Sequence, residues 1–506
     1  MNPRIERDVR LVLPAWLLAL VLVTVAAMVP RDFGQGWVIT IVIFAWLIIT
    51  ASMFGAEFAH GTMPQLLAQP IDRRRIWREK MIVLAIALAS LFLAVVALEA
   101  SHLEKTATLL LAVVPVCAFC TIPFYSLVGR STISAVILAI PIPGIIFVVG
   151  AAAILWLFRI GALEPTDAYT PINEDRLHFW IRLYFGIALP AYCALLYYLG
   201  YRRFLNFEVA GRAQRQIRLP TSLHSGLERI VSCLFPSRLR HLRALVTKEL
   251  HLQHNGTILF VVFGFLQFLA IAFIKLGHPK DPEPYFTVPL CIYAALMPLV
   301  IGSSAIAEET HLGIRAWHLT LPYSARAQWF VKLAVVLIMS ALLGIGVPLL
   351  WNFVGDAYVG TNYAWSGTDL LTFSCGSLLL TSIAFYASSF SRDTLRALLT
   401  AFGLSTALVF TVATIGNALE HSLLITGDLL RPLLKPVITP AIIHILTMGW
   451  VVPVLCLIIP LLFAALKHFR TINHHRVWAN ALLVFVPPIV LFFLVLTVGF
   501  AAAKLR

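Results

Sequence analysis

Runs of about 20 apolar residues recur from one end of this chain to the other. A helix of about 20 apolar residues is long enough to cross the hydrocarbon core of a bilayer. The runs are continuous rather than alternating, which excludes a transmembrane β-barrel. A chain of 506 residues could form several soluble domains, but only 12% of these residues are charged. The sequence therefore predicts an all-α polytopic membrane protein.

The apolar runs predict about 13 spans, arranged as two units of six spans and one extra C-terminal span. A short segment, residues 5–13, precedes the first span and is predicted to lie on the membrane surface as an amphipathic helix. The spans are predicted at residues 15–30, 37–57, 81–100, 107–127, 133–158, 180–200, 257–276, 287–307, 333–355, 369–389, 398–417, 442–466 and 481–502.

The distribution of basic residues orients these spans. With the N-terminus inside, most of the 38 lysines and arginines fall in the inner segments, as the positive-inside rule requires. This orientation explains the net charge of +14, so the basic residues give no reason to expect nucleic acid binding. We expect a multi-pass protein of the bacterial cytoplasmic (inner) membrane, in contact with membrane lipid and with a cytoplasmic N-terminus.

A repeat at an offset of 252 residues relates the two halves of the sequence. Residues 57–80 and 309–332 each follow the second span of their half, on the inner side. Because six spans per unit is an even number, the two units are predicted to have parallel orientation. The identical pairs are Glu57/Glu309, Gly61/Gly313, Leu67/Leu319, Pro70/Pro322, Arg74/Arg326, Trp77/Trp329 and Lys80/Lys332.

The first copy joins its second and third predicted spans through a recognisable pattern. It consists of Glu57, Gly61, Thr62, Leu66, Leu67, Pro70, the cluster Arg73-Arg74-Arg75 and Lys80. This pattern resembles the inner loop of the type-2 ABC exporter permeases. The second copy departs from it, because Ile314 stands at the position of Thr62 and His318 at that of Leu66.

The resemblance implies a tandem permease, in which two six-span units are fused in one chain. Each unit would begin with a surface "elbow" helix, and each inner loop would form a coupling helix that docks on a cytoplasmic ATPase. The implied divisions are a first unit (1–205), a basic cytoplasmic connector (206–241), a second unit (242–480) and an extra span (481–506). In the first copy the implied coupling residues are Trp77 and the residues of the pattern given above. In the second copy they are Glu309, Gly313, Trp317, Leu319, Pro322, Arg326, Trp329 and Lys332.

The residue types in this segment also make mechanical sense by themselves. Gly61 and Gly313 can end the span helices, and Pro70 and Pro322 can interrupt the loop after a short helix. The apolar side chains Leu66, Leu67, Trp317 and Leu319 are predicted to face something other than lipid.

Two kinds of charged residue in this segment leave alternatives open. Glu57 and Glu309 can bond to the elbow helix or to nearby basic residues, and thereby fix the angle of the loop; alternatively they are solvated carboxylates. The arginines and Lys80 either meet lipid headgroups or an acidic partner, or only enforce topology.

The sequence contains no G-x-x-x-x-G-K-[ST] motif, so no P-loop is present to bind ATP. The resemblance then implies two copies of a separate P-loop ATPase subunit, which would hold ATP and Mg²⁺. No catalytic constellation is found, and we expect a transporter subunit rather than an enzyme.

Charges near the middle of the spans are missing, which disfavours the alternative of an ion-coupled secondary transporter. A membrane-embedded scaffold or enzyme is the other alternative. The predicted spans carry few polar residues, so we expect outward transport of a small hydrophobic or amphipathic substrate.

Metal, redox and cofactor sites are not expected in this chain. Glu57 and His60 have the E-x-x-H spacing of di-metal bundles, as do Glu308 and His311, but the two pairs are not equivalent in the repeat. Cys117 and Cys120 form a CxxC inside a span, where they are predicted to be packing residues.

Overall fold

A computed structural model of the chain describes residues 3–27, 35–59, 62–99, 105–129, 132–139, 141–159, 174–207, 240–277, 283–311, 324–359, 367–391, 393–408 and 451–470. Every regular element in these ranges is a helix. The predicted span at 481–502 lies outside the described residues, as do parts of those at 398–417 and 442–466.

The first half contributes eight helices to the described residues. They are α1 (Pro3–Ala27), α2 (Gln35–Ala59), α3 (Met63–Leu67), α4 (Arg73–Glu99), α5 (Lys105–Gly129), α6 (Thr132–Ala139), α7 (Pro141–Arg159) and α8 (Glu174–Leu205).

Eight further α-helices follow in the described part of the second half. They are α9 (Arg240–Leu252), α10 (His254–Gly277), α11 (Glu283–His311), α12 (Ala325–Met339), α13 (Val347–Val359), α14 (Gly367–Phe390), α15 (Thr394–Leu408) and α16 (Val451–Arg470). A π-helical segment, Ser340–Gly346, joins α12 to α13 without interruption.

Helices that are long and apolar enough to cross a membrane number seven among the described residues. This confirms the prediction of an all-α membrane protein with several spans, while the total of about 13 stays a prediction. The seven segments are Arg73–Ala97, Ala112–Gly129, Arg182–Leu205, His254–Lys275, Phe286–Thr310, Ala325–Tyr358 and Asp369–Phe390.

The predicted elbow helices differ from each other. In the first half the surface segment and the first span form one continuous helix, α1, which runs through Pro14. In the second half α9 ends before Gln253, and α10 begins at His254. The buried Gln253 amide fixes this turn, because it donates to Ile301 O at 3.2 Å and accepts from Ser304 Oγ at 2.7 Å.

The stretch predicted as one span at 133–158 consists of two helices, α6 and α7. Pro141 is the first residue of α7, a position where proline fits because the backbone N–H there has no partner within the helix. At the start of α6, Thr132 packs against α2: a Cβ on Gly55 would lie 2.5 Å from Thr132 Cγ2. Only glycine allows these two helices to approach so closely.

The π-helical segment has partners for its irregular backbone. A π-helix disturbs the regular α-helical hydrogen-bond ladder and is rare at this length. Tyr293 OH donates to Leu343 O at 2.9 Å, and the Ser340 and Thr381 hydroxyls lie 2.5 Å apart. No pattern in the sequence indicates this segment.

The chain forms two compact units. The first consists of Met1–Leu219, Ile258–Leu290 and Val354–Thr361, and the second of Pro220–Thr257, Cys291–Phe353 and Asn362–Arg506. The core of the first unit gathers aromatic rings below the loop between α2 and α4. Trp77 lies at its centre, with ring centroids 5.1 Å from Phe54 and 5.3 Å from Phe204.

Candidate functional site

The loop between α2 and α4 contains a short helix, α3, as the pattern around Pro70 predicts. Thr62 N donates to Glu57 O at 3.0 Å, and α3 begins at the next residue. After α3 the chain turns, and the carboxylate of Asp72 accepts from Arg74 N at 3.0 Å. Asp72 therefore caps α4, the first of the seven segments long enough to span a membrane.

Leu66 and Leu67 face the interior of the protein, so they do face something other than lipid, as the sequence predicts; their role in coupling stays a prediction. Both side chains are buried and belong to the same core cluster as Trp77. Five residues of α3 are too few to be a stable helix alone, so this burial holds α3 against the spans. The exposed residues of the loop are Gln65, Ala68, Pro70 and Asp72.

A group of four charges lies behind this loop; we call it the first ion cluster, formed by the buried Asp8, Glu57 and Lys80 and the partly exposed Arg7. Lys80 Nζ lies 2.9 Å from Asp8 Oδ1 and 3.1 Å from Glu57 Oε1. Arg7 Nη2 lies 3.1 Å from the same Glu57 oxygen. The cluster has two positive and two negative side chains, and it joins α1, α2 and α4.

The alternative that Glu57 is a solvated carboxylate is wrong, because the residue is only 1% exposed. Its second oxygen, Oε2, accepts from the Thr62 hydroxyl at 2.5 Å. Both carboxylate oxygens are therefore satisfied inside the protein, and Thr62 ties the start of the loop to the ion cluster. Lys80 is also fully buried, so it contacts neither lipid headgroups nor a partner protein.

The second unit contains the same arrangement, the second ion cluster, formed by Lys248, Glu249, Glu309 and Lys332. Lys332 Nζ lies 2.6 Å from Glu249 Oε1 and 2.6 Å from Glu309 Oε1. Lys248 forms ion pairs with both carboxylates. Glu309 is 1% exposed, so it too is not a solvated carboxylate. The cluster joins α9, α11 and α12.

The two ion clusters are built alike. Each takes an adjacent basic and acidic residue from the elbow helix, a glutamate from the end of the second predicted span of its half and a lysine from the start of the helix that follows the loop. Such groups are expensive to bury unless all charges are paired, and removal of one partner costs about 3–5 kcal/mol. The arrangement therefore fixes three helix ends relative to one another in each unit.

The clusters differ around the glutamate. Thr62 donates to Glu57 in the first unit, whereas Ile314 occupies the equivalent sequence position in the second and carries no hydroxyl. Ile314 lies outside the described residues. In the second unit the neighbouring Glu308 accepts from Thr394 Oγ1 at 2.5 Å, which ties the end of α11 to the start of α15.

The three arginines of the first copy have three different environments. Arg73 Nη1 donates to Leu205 O at 2.7 Å and to Phe207 O at 3.0 Å, so it caps the C-terminal end of α8. Arg75 pairs with Glu79 on the same helix, at 3.0 Å. Arg74 is exposed. Arg73 is half-buried, and its contact with the end of α8 is not indicated by the sequence pattern; whether it also meets headgroups or a partner stays a prediction.

The remaining predicted residues divide into buried, exposed and undescribed positions. Trp77 and Trp329 are buried, and the Trp329 ring lies 5.9 Å from that of Phe385. Arg326 is exposed, two residues after Ser324, which caps α12 by accepting from Ala327 N. Five predicted coupling residues lie outside the described ranges: Gly61, Gly313, Trp317, Leu319 and Pro322.

Sequence reasoning missed the acidic members that the elbow helices contribute, Asp8 and Glu249. A signal does exist, because Arg7-Asp8 and Lys248-Glu249 are both basic–acidic pairs at the start of a unit. Their offset differs from the 252 residues of the loop repeat, so they fall out of register in an alignment at that spacing.

The structure also brings two cysteines of the first unit together. Cys117 Sγ and Cys193 Sγ lie 3.7 Å apart, between α5 and α8. Within the described part of the chain, no group of three His, Cys, Asp or Glu residues could hold a metal ion.

No known protein family, curated protein or solved structure matches this chain. The fold and the charged clusters define a helical membrane protein in which three helices of each half are held together by largely buried ion pairs.

Proposed function

We propose that this chain is the membrane-spanning permease of an ABC exporter, with two six-span units fused in tandem. The observation that carries the proposal is the pair of ion clusters. Each cluster joins three elements: an elbow helix, the helix that carries Glu57 or Glu309 at its end, and the start of the helix after the loop. The resemblance places a coupling element at this position.

The clusters supply what force transmission requires. A loop that receives motion from a docked ATPase must move together with the spans behind it. Three buried charges and a partly exposed fourth, all paired within the cluster, resist separation of the three helix ends, so a displacement of the loop moves those ends as one body. In the first unit Thr62 and the buried side chains of α3 add the loop itself to this body.

The exposed side of the first loop carries polar and small residues, and it would form the docking surface. Gln65, Pro70, Asp72 and Arg74 are exposed there, whereas the leucines are turned inward. Arg326 would offer the equivalent contact in the second unit. An arginine can form two parallel hydrogen bonds to one carboxylate of a partner.

ATP and Mg²⁺ would bind to the partner, because the chain has no P-loop motif. Two loops imply two ATPase subunits per membrane chain, on the cytoplasmic side of a bacterial inner membrane. The apolar character of the spans favours a small hydrophobic or amphipathic substrate, moved outward.

Copurification tests this proposal directly. The tagged chain, extracted in mild detergent, should retain a P-loop ATPase at two copies per chain. The double variant Arg74→Glu/Arg326→Glu should lose the ATPase, while Arg203→Glu, at another exposed arginine of the first unit, should retain it. Absence of any P-loop ATPase from the wild-type preparation would overturn the proposal.

A further inference from the structure

A cavity of about 670 Å³ opens beside α4 in the first unit. This volume lies within the range of small-molecule sites. Its lining includes the arginines at the start of α4, Phe119 of α5, and Tyr197 and Tyr201 of α8. None of these residues belongs to the first ion cluster.

The polar end of the cavity is positively charged. Arg74, Arg75 and Arg78 line it together with one carboxylate, that of Asp72. Asp72 is engaged by the backbone N–H of Arg74, and Arg75 is paired with Glu79. Among the described residues, Arg74 and Arg78 have no carboxylate within ion-pair distance. Two guanidinium groups are therefore available for an anion.

The other end of the cavity is apolar and continues along the surface of the span. Ile82 and Ala85 line it, and Ile82 is 52% exposed. Residues spaced by three or four positions share one helix face, so Arg78, Ile82 and Ala85 form one stripe that changes from basic to apolar. This stripe enters the segment Arg73–Ala97 that is long enough to span a membrane.

Aromatic side chains mark the level between the two ends. Trp77 Nε1 lies 3.4 Å from Tyr197 OH, and both residues line the cavity with Tyr201. Tryptophan and tyrosine are enriched at the membrane–water interface, where one end of the ring is apolar and the other is wet. The positive end of the cavity therefore lies on the headgroup side and the apolar end on the acyl-chain side.

The second copy lacks the charges of this basic end. At the same offset of 252 residues, Ala327 stands in place of Arg75 and Phe330 in place of Arg78. Phe330 is exposed. The basic end is therefore a property of the first unit and is not required by the repeat.

We propose that this cavity binds one anionic phospholipid, with its phosphate between Arg74 and Arg78 and its acyl chain along Ile82 and Ala85. A free phosphate shares the headgroup chemistry, but it would use only the basic end. The change from basic to apolar along a single helix face favours the lipid. The proposal concerns the isolated chain. A docked ATPase would compete with the lipid for Arg74, so the binding test uses the chain without its ATPase.

Lipid titration of the detergent-purified full chain, followed by native mass spectrometry, tests this assignment. The probes are dioleoyl-phosphatidylglycerol, dioleoyl-phosphatidylcholine and the soluble headgroup analogue glycerol 3-phosphate. The wild-type chain should bind phosphatidylglycerol at least about tenfold more tightly than phosphatidylcholine, because two basic groups each contribute about 1 kcal/mol near an anionic surface. It should also bind phosphatidylglycerol more tightly than glycerol 3-phosphate, which has no acyl chain to occupy the apolar end. Equal affinity for phosphatidylcholine, or equal affinity for glycerol 3-phosphate, overturns the proposal.

Variants locate the site. Arg78→Gln should lower the affinity for phosphatidylglycerol several-fold, and Arg74→Gln/Arg78→Gln should remove the preference over phosphatidylcholine. Arg78→Lys should retain most of the affinity, since the positive charge remains. The matched controls are Arg203→Gln and Arg326→Gln, both exposed arginines outside the cavity, which should bind as the wild type does. All of these positions are exposed, so the variants should fold; a control that loses the preference equally would overturn the assignment.

Discussion

Lys80 Nζ lies 3.1 Å from Glu57 Oε1, and both side chains are buried. The equivalent pair in the second unit, Lys332 and Glu309, is 2.6 Å apart. Two of the identities in the sequence repeat are thus explained by contacts inside the chain rather than by contacts with a partner. The elbow helices add one basic and one acidic side chain to each of these pairs. Each unit therefore has an electrically neutral, largely buried junction of three helices.

Removal of the central lysine should destabilise the first unit strongly. Lys80→Met leaves Asp8 and Glu57 buried with one positive partner fewer, and we expect a loss of about 3–5 kcal/mol in stability. Thermal unfolding of the purified chain in detergent would measure this as a lower Tm. Lys332→Met should act similarly in the second unit.

The control for this experiment is an exposed basic residue in the same region. Arg10 forms an exposed ion pair with Glu6 on α1, so Arg10→Met should change stability by about 0–1 kcal/mol. An unchanged Tm for both Lys80→Met and Lys332→Met would show that the ion clusters do not hold the helices together.

Thr62→Ile tests the difference between the two units, because it introduces the residue type that the second copy carries at the equivalent position. The hydroxyl of Thr62 donates to a buried carboxylate, and a hydrogen bond to a charged group contributes about 1.5–3 kcal/mol. We expect a loss of that size in the Tm-derived stability, and Thr62→Ser should restore most of it. Equal stability of Thr62→Ile and wild type would contradict this role.

Arg73 and Arg75 should behave differently although they are close neighbours. Arg73→Gln removes two hydrogen bonds to the C-terminal carbonyls of α8, and we expect a loss of about 1.5–3 kcal/mol. Arg75→Gln removes a largely exposed pair with Glu79, for which about 0–1 kcal/mol is expected. Hydrogen exchange of the amides at the end of α8 should increase only for the Arg73 variant; an equal effect in both would contradict the capping role.

The class of this fold could be predicted from the sequence because hydrocarbon thickness leaves a direct signature in the length of apolar runs. The direction in which Leu66 and Leu67 point could not, since an apolar pair in a loop can face a partner or the core equally well. The capping role of Arg73 depends on where α8 ends, a long-range relationship that no local pattern reports. Likewise, the contact between Asp8 and Lys80 depends on the packing of α1 against α4, which no local sequence pattern indicates.

The last prediction concerns Arg74 and Arg326, which are identical in the repeat but have no buried partner that would explain the identity. Both are exposed, near the start of α4 and of α12. If each contacts a docked ATPase, Arg74→Glu or Arg326→Glu should uncouple ATP hydrolysis from transport, since the reversed charge repels the carboxylate that an arginine would bind. Substrate-stimulated ATPase activity per correctly inserted complex measures this, and Arg203→Glu is the control.

A role in topology alone predicts the opposite pattern for these two arginines. The amount of correctly inserted chain would then fall, because positive charge in inner loops sets orientation, but the activity of each inserted complex would stay at the wild-type level. Raised ionic strength further distinguishes a docking role of these arginines from a role in topology alone. Exposed charges are screened beyond a Debye length of about 8–10 Å, so salt should weaken assembly with the ATPase and leave a completed topology unchanged. If both variants show the substrate-stimulated ATPase activity of the wild type, Arg74 and Arg326 do not belong to the docking surface.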